Sequence, residues 1–285
     1  MILSRREFGG GFAVAAAARR RRGEHAAPPG PALAPPNEPT LARILRTKKL
    51  RVGAPADEQP YFYKGSAPGH WNGFLLAMAS NLAAALGVEL AVIEANWAET
   101  ATDLHTGKVD LGYTLNPTAQ RAMFADFSTP LLHDTYAIIA RKGFAPKTWA
   151  EINAPQSLVA VDTGSIREEI VRRVAGNAAV TGFKSRDEAM QAVQSGRADC
   201  CVATVLLALP ILKKNPQIGD LVVPTPRLQT AVCPALPYDG DRRFRGVVDA
   251  WREDNLGLGQ IHEWVTAGLA ESGVAEADLP PDLVL

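Results

Sequence analysis

Two rhythms of apolar residues alternate along the chain. From Phe74 to Leu86, the residues Phe74, Met78, Leu82 and Leu86 form one helical stripe, stopped by Gly87. Val88 to Ala95 alternates every second residue and predicts a strand, as do Leu50–Ala54 and Lys108–Tyr113. Thr40–Leu45 and Ala98–Thr106 read as helices, the second closed by Gly107, and Gly69–Gly73 reads as a turn. The alternation continues with strands at Tyr136–Ala140, Ser157–Asp162 and Ala198–Ala203. Helices are expected at Thr148–Ile152, Ile166–Val174, Arg186–Ser195 and Val205–Lys213, then at Arg242–Asn255 and Gly259–Ser272. Strand–helix alternation of this kind predicts an α/β fold of mostly parallel sheets covered by helices. No repeat at solenoid period is present.

The first 39 residues stand outside this pattern. Ser4-Arg5-Arg6-Glu7-Phe8 followed by the small apolar run Gly9–Ala18 resembles a twin-arginine export signal. Ala16-Ala17-Ala18 and Ala32-Leu33-Ala34 both fit a small-x-small cut, although the cluster Arg19–Arg22 is unusual in such a signal. Gly23–Pro39 is a Pro/Ala/Gly linker. Residues 1–39 are therefore expected to be export signal and linker, placing the mature protein in the periplasm.

The chain has 285 residues, enough for one large or two modest domains. Its 30 basic and 30 acidic side chains cancel, so no cationic excess points to nucleic acid. Three cysteines cannot build a disulfide scaffold. Cys200 and Cys201 fall on a predicted buried strand, and a bond from one of them to Cys233 remains open in an exported chain. His70, His105, His133 and His262 show no ligand spacing, and no phosphate-binding glycine loop occurs, so neither a metal nor a cofactor is expected.

Several blocks appear in order: Leu50-Arg51-Val52-Gly53, Pro60-Tyr61-Phe62, Trp71-Asn72-Gly73-Phe74, Trp97, Gly107-Lys108-Val109-Asp110-Leu111, Thr118-Ala119-Gln120-Arg121, Asp126-Phe127-Ser128-Thr129-Pro130, Val159–Ser165 and Ser195-Gly196-Arg197-Ala198-Asp199. None is specific alone. Together, from Thr40 to the C-terminus, they resemble the periplasmic solute-binding proteins of ABC importers of the polar amino-acid type (family 3). The resemblance implies two α/β lobes joined by two hinge strands: lobe one at 40–140 plus 234–285, lobe two at 141–233, with hinges near Ala140-Arg141 and Val232-Cys233. It implies a monomer that captures a small carboxylate or amino-acid-like ligand and delivers it to an ABC permease in the inner membrane.

By that likeness Arg121 grips the ligand carboxylate. A guanidinium matches a carboxylate with paired donors, each charged hydrogen bond contributing about 1.5–3 kcal/mol. Taken alone, Arg121 would read as a surface arginine beside Asp126. Thr118 should orient Arg121, and Thr114 and Asn116 should offer ligand contacts, although Asp110–Arg121 is one residue shorter than the family pattern. Thr163, Gly164 and Ser165 lie at a strand-to-helix junction where free N–H groups and the helix dipole favour an anion. Trp97 and Tyr61 or Phe62 should form aromatic walls.

Three positions depart from the family. Thr204 stands where the family carries the aspartate that binds an α-ammonium. Gly73-Phe74 continues with Leu75, without the usual Phe-Asp pair. Glu58 replaces an aromatic. Two ligand readings follow: a keto or hydroxy acid, or a cationic ligand whose charge is met by Glu58 or Asp162. The resemblance also extends to periplasmic prephenate or arogenate dehydratases, for which Glu58 is the candidate general acid, and to accessory or sensor proteins. No nucleophile–base pair is evident, so no catalytic residue is assigned.

Overall fold

The computed structural model describes residues 38–65, 69–113, 115–280 and 283, with backbone only for Trp97 and Ala98. The expected export signal at residues 1–37 lies outside this range. The chain runs α1 (Thr40–Thr47), β1 (Lys49–Ala54), β2 (Asp57–Glu58), β3 (Phe62–Lys64), β4 (Trp71–Asn72), α2 (Phe74–Ala85), β5 (Glu89–Glu94), α3 (Trp97–His105) and β6 (Leu111–Gly112). A 3₁₀ turn at Arg121–Met123 leads to β7 (Ala125–Phe127) and the long β8 (Leu132–Ala140). Then follow α4 (Trp149–Ile152), β9 (Leu158–Asp162), α5 (Ile166–Val174), β10 (Ala179–Phe183), α6 (Arg186–Gln194), β11 (Cys200–Thr204) and α7 (Val205–Lys214). The chain closes with β12 (Asp220–Val222), β13 (Gln229–Val232), β14 (Ala235–Pro237), α8 (Arg243–Gly257) and α9 (Gln260–Glu271).

Two large sheets result, one per lobe. The first has order β5-β1-β6-β14-β7 and the second β10-β9-β11-β8-β12, with β13 on the first half of β8. Both are parallel at one end, where β1 pairs with β5 and β6, and β9 with β10 and β11. Both turn antiparallel where a returning strand enters, β14 in the first and β8 in the second. The sheets are mostly parallel as expected, each with a reversed strand inserted, β14 in the first and β8 in the second. β7, β10, β12 and β13 are absent from the sequence reading because they are brief and carry mostly exposed or half-buried residues, and the buried β14 because three residues are too few to show a period.

The parallel halves repeat one device. In Gly107–Asp110 and Gly196–Asp199 a glycine with positive φ ends a helix region and an aspartate follows three residues later. The Asp110 carboxylate accepts the Arg51 N–H at 2.9 Å while its own N–H donates to the Arg51 carbonyl. Asp199 does the same with Leu158, at 2.8 Å. Each aspartate therefore locks the third strand of its lobe against the first.

β8 corrects the expected first hinge. Leu132–Thr135 pairs with β13, and Tyr136–Ala140 already pairs with β11. Ala140 sits opposite Cys200 and Asp220 inside the second sheet, so the crossing lies at the start of β8 rather than at Ala140-Arg141. Period-two alternation places Asp134 and Tyr136 on the same face of this strand. Cys200, Cys201 and Cys233 are buried free thiols.

The third sheet, β2-β3-β4, is a small antiparallel wall at the edge of lobe one. Gly73, with φ of 112°, ties it to α2: the Phe74 and Leu75 N–H groups donate to the Pro60 and Tyr61 carbonyls at 3.0 and 3.1 Å. A Cβ at Gly73 would fall 2.2 Å from the Tyr61 carbonyl oxygen. Gly73→Ala is expected to lower the unfolding free energy by at least about 1–3 kcal/mol through backbone strain, measured by urea denaturation.

Candidate functional site

A cleft of about 580 Å³, counted to its open mouth, lies between the two large sheets and the small wall. Lobe one contributes Glu58, Tyr61, Asn116 and Arg121. Lobe two contributes Gly164, Ser165, Ile166, Arg167, Thr204 and Leu207. The crossing strands contribute Asp134, Tyr136 and Val232.

Charge inside this cleft is arranged in pairs, as burial requires. Arg167, 6% exposed, donates to Asp162 at 3.0 and 2.5 Å. Burial opposes both charges, but the pair prevails: Asp162 is held below its ordinary range and Arg167 above its own. Glu58 of the small wall accepts from Arg186 of lobe two at 2.7 Å, and Arg186 also donates to the Asp57 carbonyl at 2.7 Å. Both partners of this cross-lobe ion pair are nearly buried.

Two charges remain outside these pairs. Arg121 opens the 3₁₀ turn. Its N–H donates to the Thr118 hydroxyl and its Nη1 to the Asn116 carbonyl, both at 3.2 Å. Among the described residues no carboxylate lies within ion-pair distance of it, and burial lowers its pKa. Asp134 is 8% exposed and takes a short hydrogen bond from the Tyr61 hydroxyl, which also lies 3.4 Å from the Thr204 hydroxyl. No lysine or arginine among the described residues pairs with Asp134. Burial pushes its pKa up to about 6, against the Tyr61 hydrogen bond and the field of Arg167, with Glu58 pushing the same way as burial.

A family model of bacterial extracellular solute-binding proteins, family 3, matches residues 50–164. The chain is 26% identical over 228 residues to cyclohexadienyl dehydratase of Pseudomonas aeruginosa, covering 75% of this chain and 80% of that protein. It is 27% identical over 190 residues to an arginine-binding extracellular protein of Bacillus subtilis, covering 65% and 72% respectively. The crystal structure of an ancestral amino acid-binding protein, a precursor of cyclohexadienyl dehydratase, superposes with a TM-score of 0.70 at 26% identity, over 80% of this chain and 97% of that one. Over residues 50–164 the chain is thus similar to the family 3 solute-binding proteins. Its two mixed sheets are the two lobes of that fold.

The residues singled out in the sequence divide. Arg121, Asn116, Tyr61, Gly164, Ser165, Thr204 and Glu58 line the cleft. Asn116 is committed to the crossing strand, its amide donating to the Thr230 hydroxyl and the Ala231 carbonyl at 3.0 Å each. Thr118 sits outside the lining and holds the turn that carries Arg121. Phe62 is fully buried in the lobe-one core, 6.3 Å from the Tyr113 ring. It cannot form a wall beside Tyr61, because the chain turns its two neighbours to different sides. Thr163 is exposed, with its hydroxyl against Gly182 on the far side of the junction. Thr114 and the Trp97 side chain lie outside the described residues.

The strand-to-helix junction also differs from expectation. The Thr163 N–H donates to the Phe183 carbonyl, the Gly164 N–H to the Glu168 carboxylate at 2.8 Å, and the Ser165 N–H to the Asp162 carbonyl. The N–H groups expected to hold an anion are thus spent within the protein. An α-helix leaves further N–H groups unpaired in its first turn, here at Ile166 and Arg167.

Sequence reasoning missed Asp134, Tyr136, Arg167 and Arg186. Asp134 and Tyr136 share a face of β8, but Leu132-His133-Asp134-Thr135-Tyr136 places three polar residues in a row, so no polar–apolar alternation marked that face. Arg167 and Arg186 lie in first helical turns that look solvent-exposed in the sequence.

Arg186→Met is expected to let the lobes part, since Glu58 then gains more from hydration than from closure. An increased radius of gyration in small-angle X-ray scattering checks this; an unchanged radius would show that the remaining contacts hold the lobes.

Proposed function

We propose that the protein is an extracytoplasmic receptor that closes on a small carboxylate ligand between its lobes and presents the closed form to an ABC permease of the inner membrane. One observation carries this reading: Arg121 faces the cleft with a guanidinium that makes no ion pair among the described residues, Glu169 acting on it only through its field. A half-buried guanidinium, partly stripped of water, binds a carboxylate with little further desolvation cost. The arginine-binding and amino acid-binding relatives support the receptor class. Ligand contacts from both lobes would favour the closed state by their differential affinity. The export reading of the first residues belongs to the same proposal. Lobe two begins at β8 in this reading.

A second reading is a dehydratase, favoured by the Pseudomonas relative and by a carboxyl titrating near neutrality. That group is Asp134. Glu58, the acid suggested by the sequence, is committed to Arg186.

Arg121→Ala is expected to weaken ligand binding at least about tenfold, about 1.4 kcal/mol, with the thermal midpoint nearly unchanged. Calorimetry on whichever carboxylate co-purifies measures it, and equal affinity in the variant would remove Arg121 from the site. The wild-type protein is expected to leave prephenate unchanged, followed by its absorbance. Measurable turnover that Asp134→Asn abolishes would favour the dehydratase instead.

A further inference from the structure

We propose that Asp134 is the residue that recognises the positive end of the ligand, so that the cleft selects a net-neutral zwitterion, an α-amino acid with an uncharged side chain. The inference rests on the carboxylate-receptor reading above and adds the second half of the ligand. The cleft and its immediate support hold three guanidinium groups, of Arg121, Arg167 and Arg186, and three carboxylates, of Glu58, Asp134 and Asp162. Two of each sign are consumed by the Arg167–Asp162 and Arg186–Glu58 pairs. Among the described residues that line the cleft, one charge of each sign remains without an ion pair: Arg121 on lobe one, which feels Glu169 only through its field, and Asp134 on the strand that crosses between lobes. Tyr136, on the same face of β8 as Asp134, lies within the electrostatic reach of both.

A dry cleft penalises any net charge it must enclose. A dipolar ligand oriented with its carboxylate on Arg121 and its ammonium on Asp134 brings none. A cationic side chain would bring one, and no second unpaired carboxylate lines the cleft among the described residues. A 2-hydroxy or 2-keto acid would leave Asp134 without a counter-charge. Thr204, in the position where an aspartate was expected, is within 3.4 Å of the Tyr61 hydroxyl that holds Asp134. The negative charge has thus moved from the start of α7 to the crossing strand, with the threonine beside it as a neutral acceptor. The hydroxyl of Tyr61 supplies one hydrogen bond to Asp134 and leaves other lone-pair positions of the carboxylate for an ammonium.

The groups facing Asp134 are Tyr61 and Glu58 from the small wall, Arg167 from α5, Thr204 at the start of α7, and Tyr136 on its own strand. Because burial raises the Asp134 pKa to about 6, its charge is present above that pH and lost below it. Affinity for an α-amino acid should therefore fall as pH drops through about 6, while affinity for the matching 2-hydroxy acid should not.

The test is calorimetry on the full chain with the common L-amino acids and with matched 2-hydroxy acids: lactate against alanine, phenyllactate against phenylalanine, malate against aspartate. The expected result is that a neutral amino acid binds at least about tenfold tighter than both its hydroxy analogue and arginine or lysine. Asp134→Asn should erase that preference and its pH dependence, weakening the amino acid at least about tenfold relative to its hydroxy analogue, with an unchanged far-ultraviolet circular dichroism spectrum showing that the variant is folded. Equal wild-type affinity for amino and hydroxy acids, both lost in Arg121→Ala, would overturn the role of Asp134 and leave the carboxylate receptor standing. Tightest binding of arginine or lysine would overturn the neutral-ligand claim. Binding of no carboxylate at all would overturn both readings.

Discussion

The cost of keeping charge away from water governs this molecule. Six ionised groups meet where two sheets and a small wall enclose a narrow cleft. Each would be expensive there alone, and the fold meets that expense by pairing. The Asp162–Arg167 pair is local, five residues apart on one lobe. The Glu58–Arg186 pair spans the lobes and can form only when they are together. Pairing across the lobes and neutralisation of these two buried charges are therefore one event.

Contacts farther from the cleft add little to that balance. Lys213 reaches Asp278 at 2.9 Å and Lys214 hydrogen-bonds the Gln59 side chain, both across the lobes and both in water. Exposed pairs of this kind contribute about 0–1 kcal/mol each. They fix the register in which the lobes meet. The Glu58–Arg186 pair and the Tyr61–Asp134 hydrogen bond, by contrast, are buried, so losing either would leave a charge without compensation.

The scaffold serves this chemistry through strain-tolerant turns and one long strand. Gly73 lets the small wall pass close enough to α2 to aim Tyr61 inward. β8 carries Asp134 and Tyr136 on one face while tying both lobes together. Asp110 and Asp199 repeat one backbone lock in the two lobes, holding the parallel strands whose ends deliver the site loops.

The α/β class, most helices and the order of the blocks were legible in the sequence, because helical stripes and buried strands leave periodic apolar marks that local physics reads directly. Arg121 was legible too, since a short turn headed by Thr118 positions it with neighbours only residues away. The fate of the other charges was not. Glu58 finds Arg186 on another lobe, and Asp134 finds Tyr61 on another sheet. Likewise the N–H groups at Thr163–Ser165 looked free, yet were taken by Phe183, Glu168 and Asp162. Periodicity reports which face of an element is buried. Only tertiary structure decides which buried charge meets which, because such partners are chosen by proximity in space and the chain brings them there from distant positions.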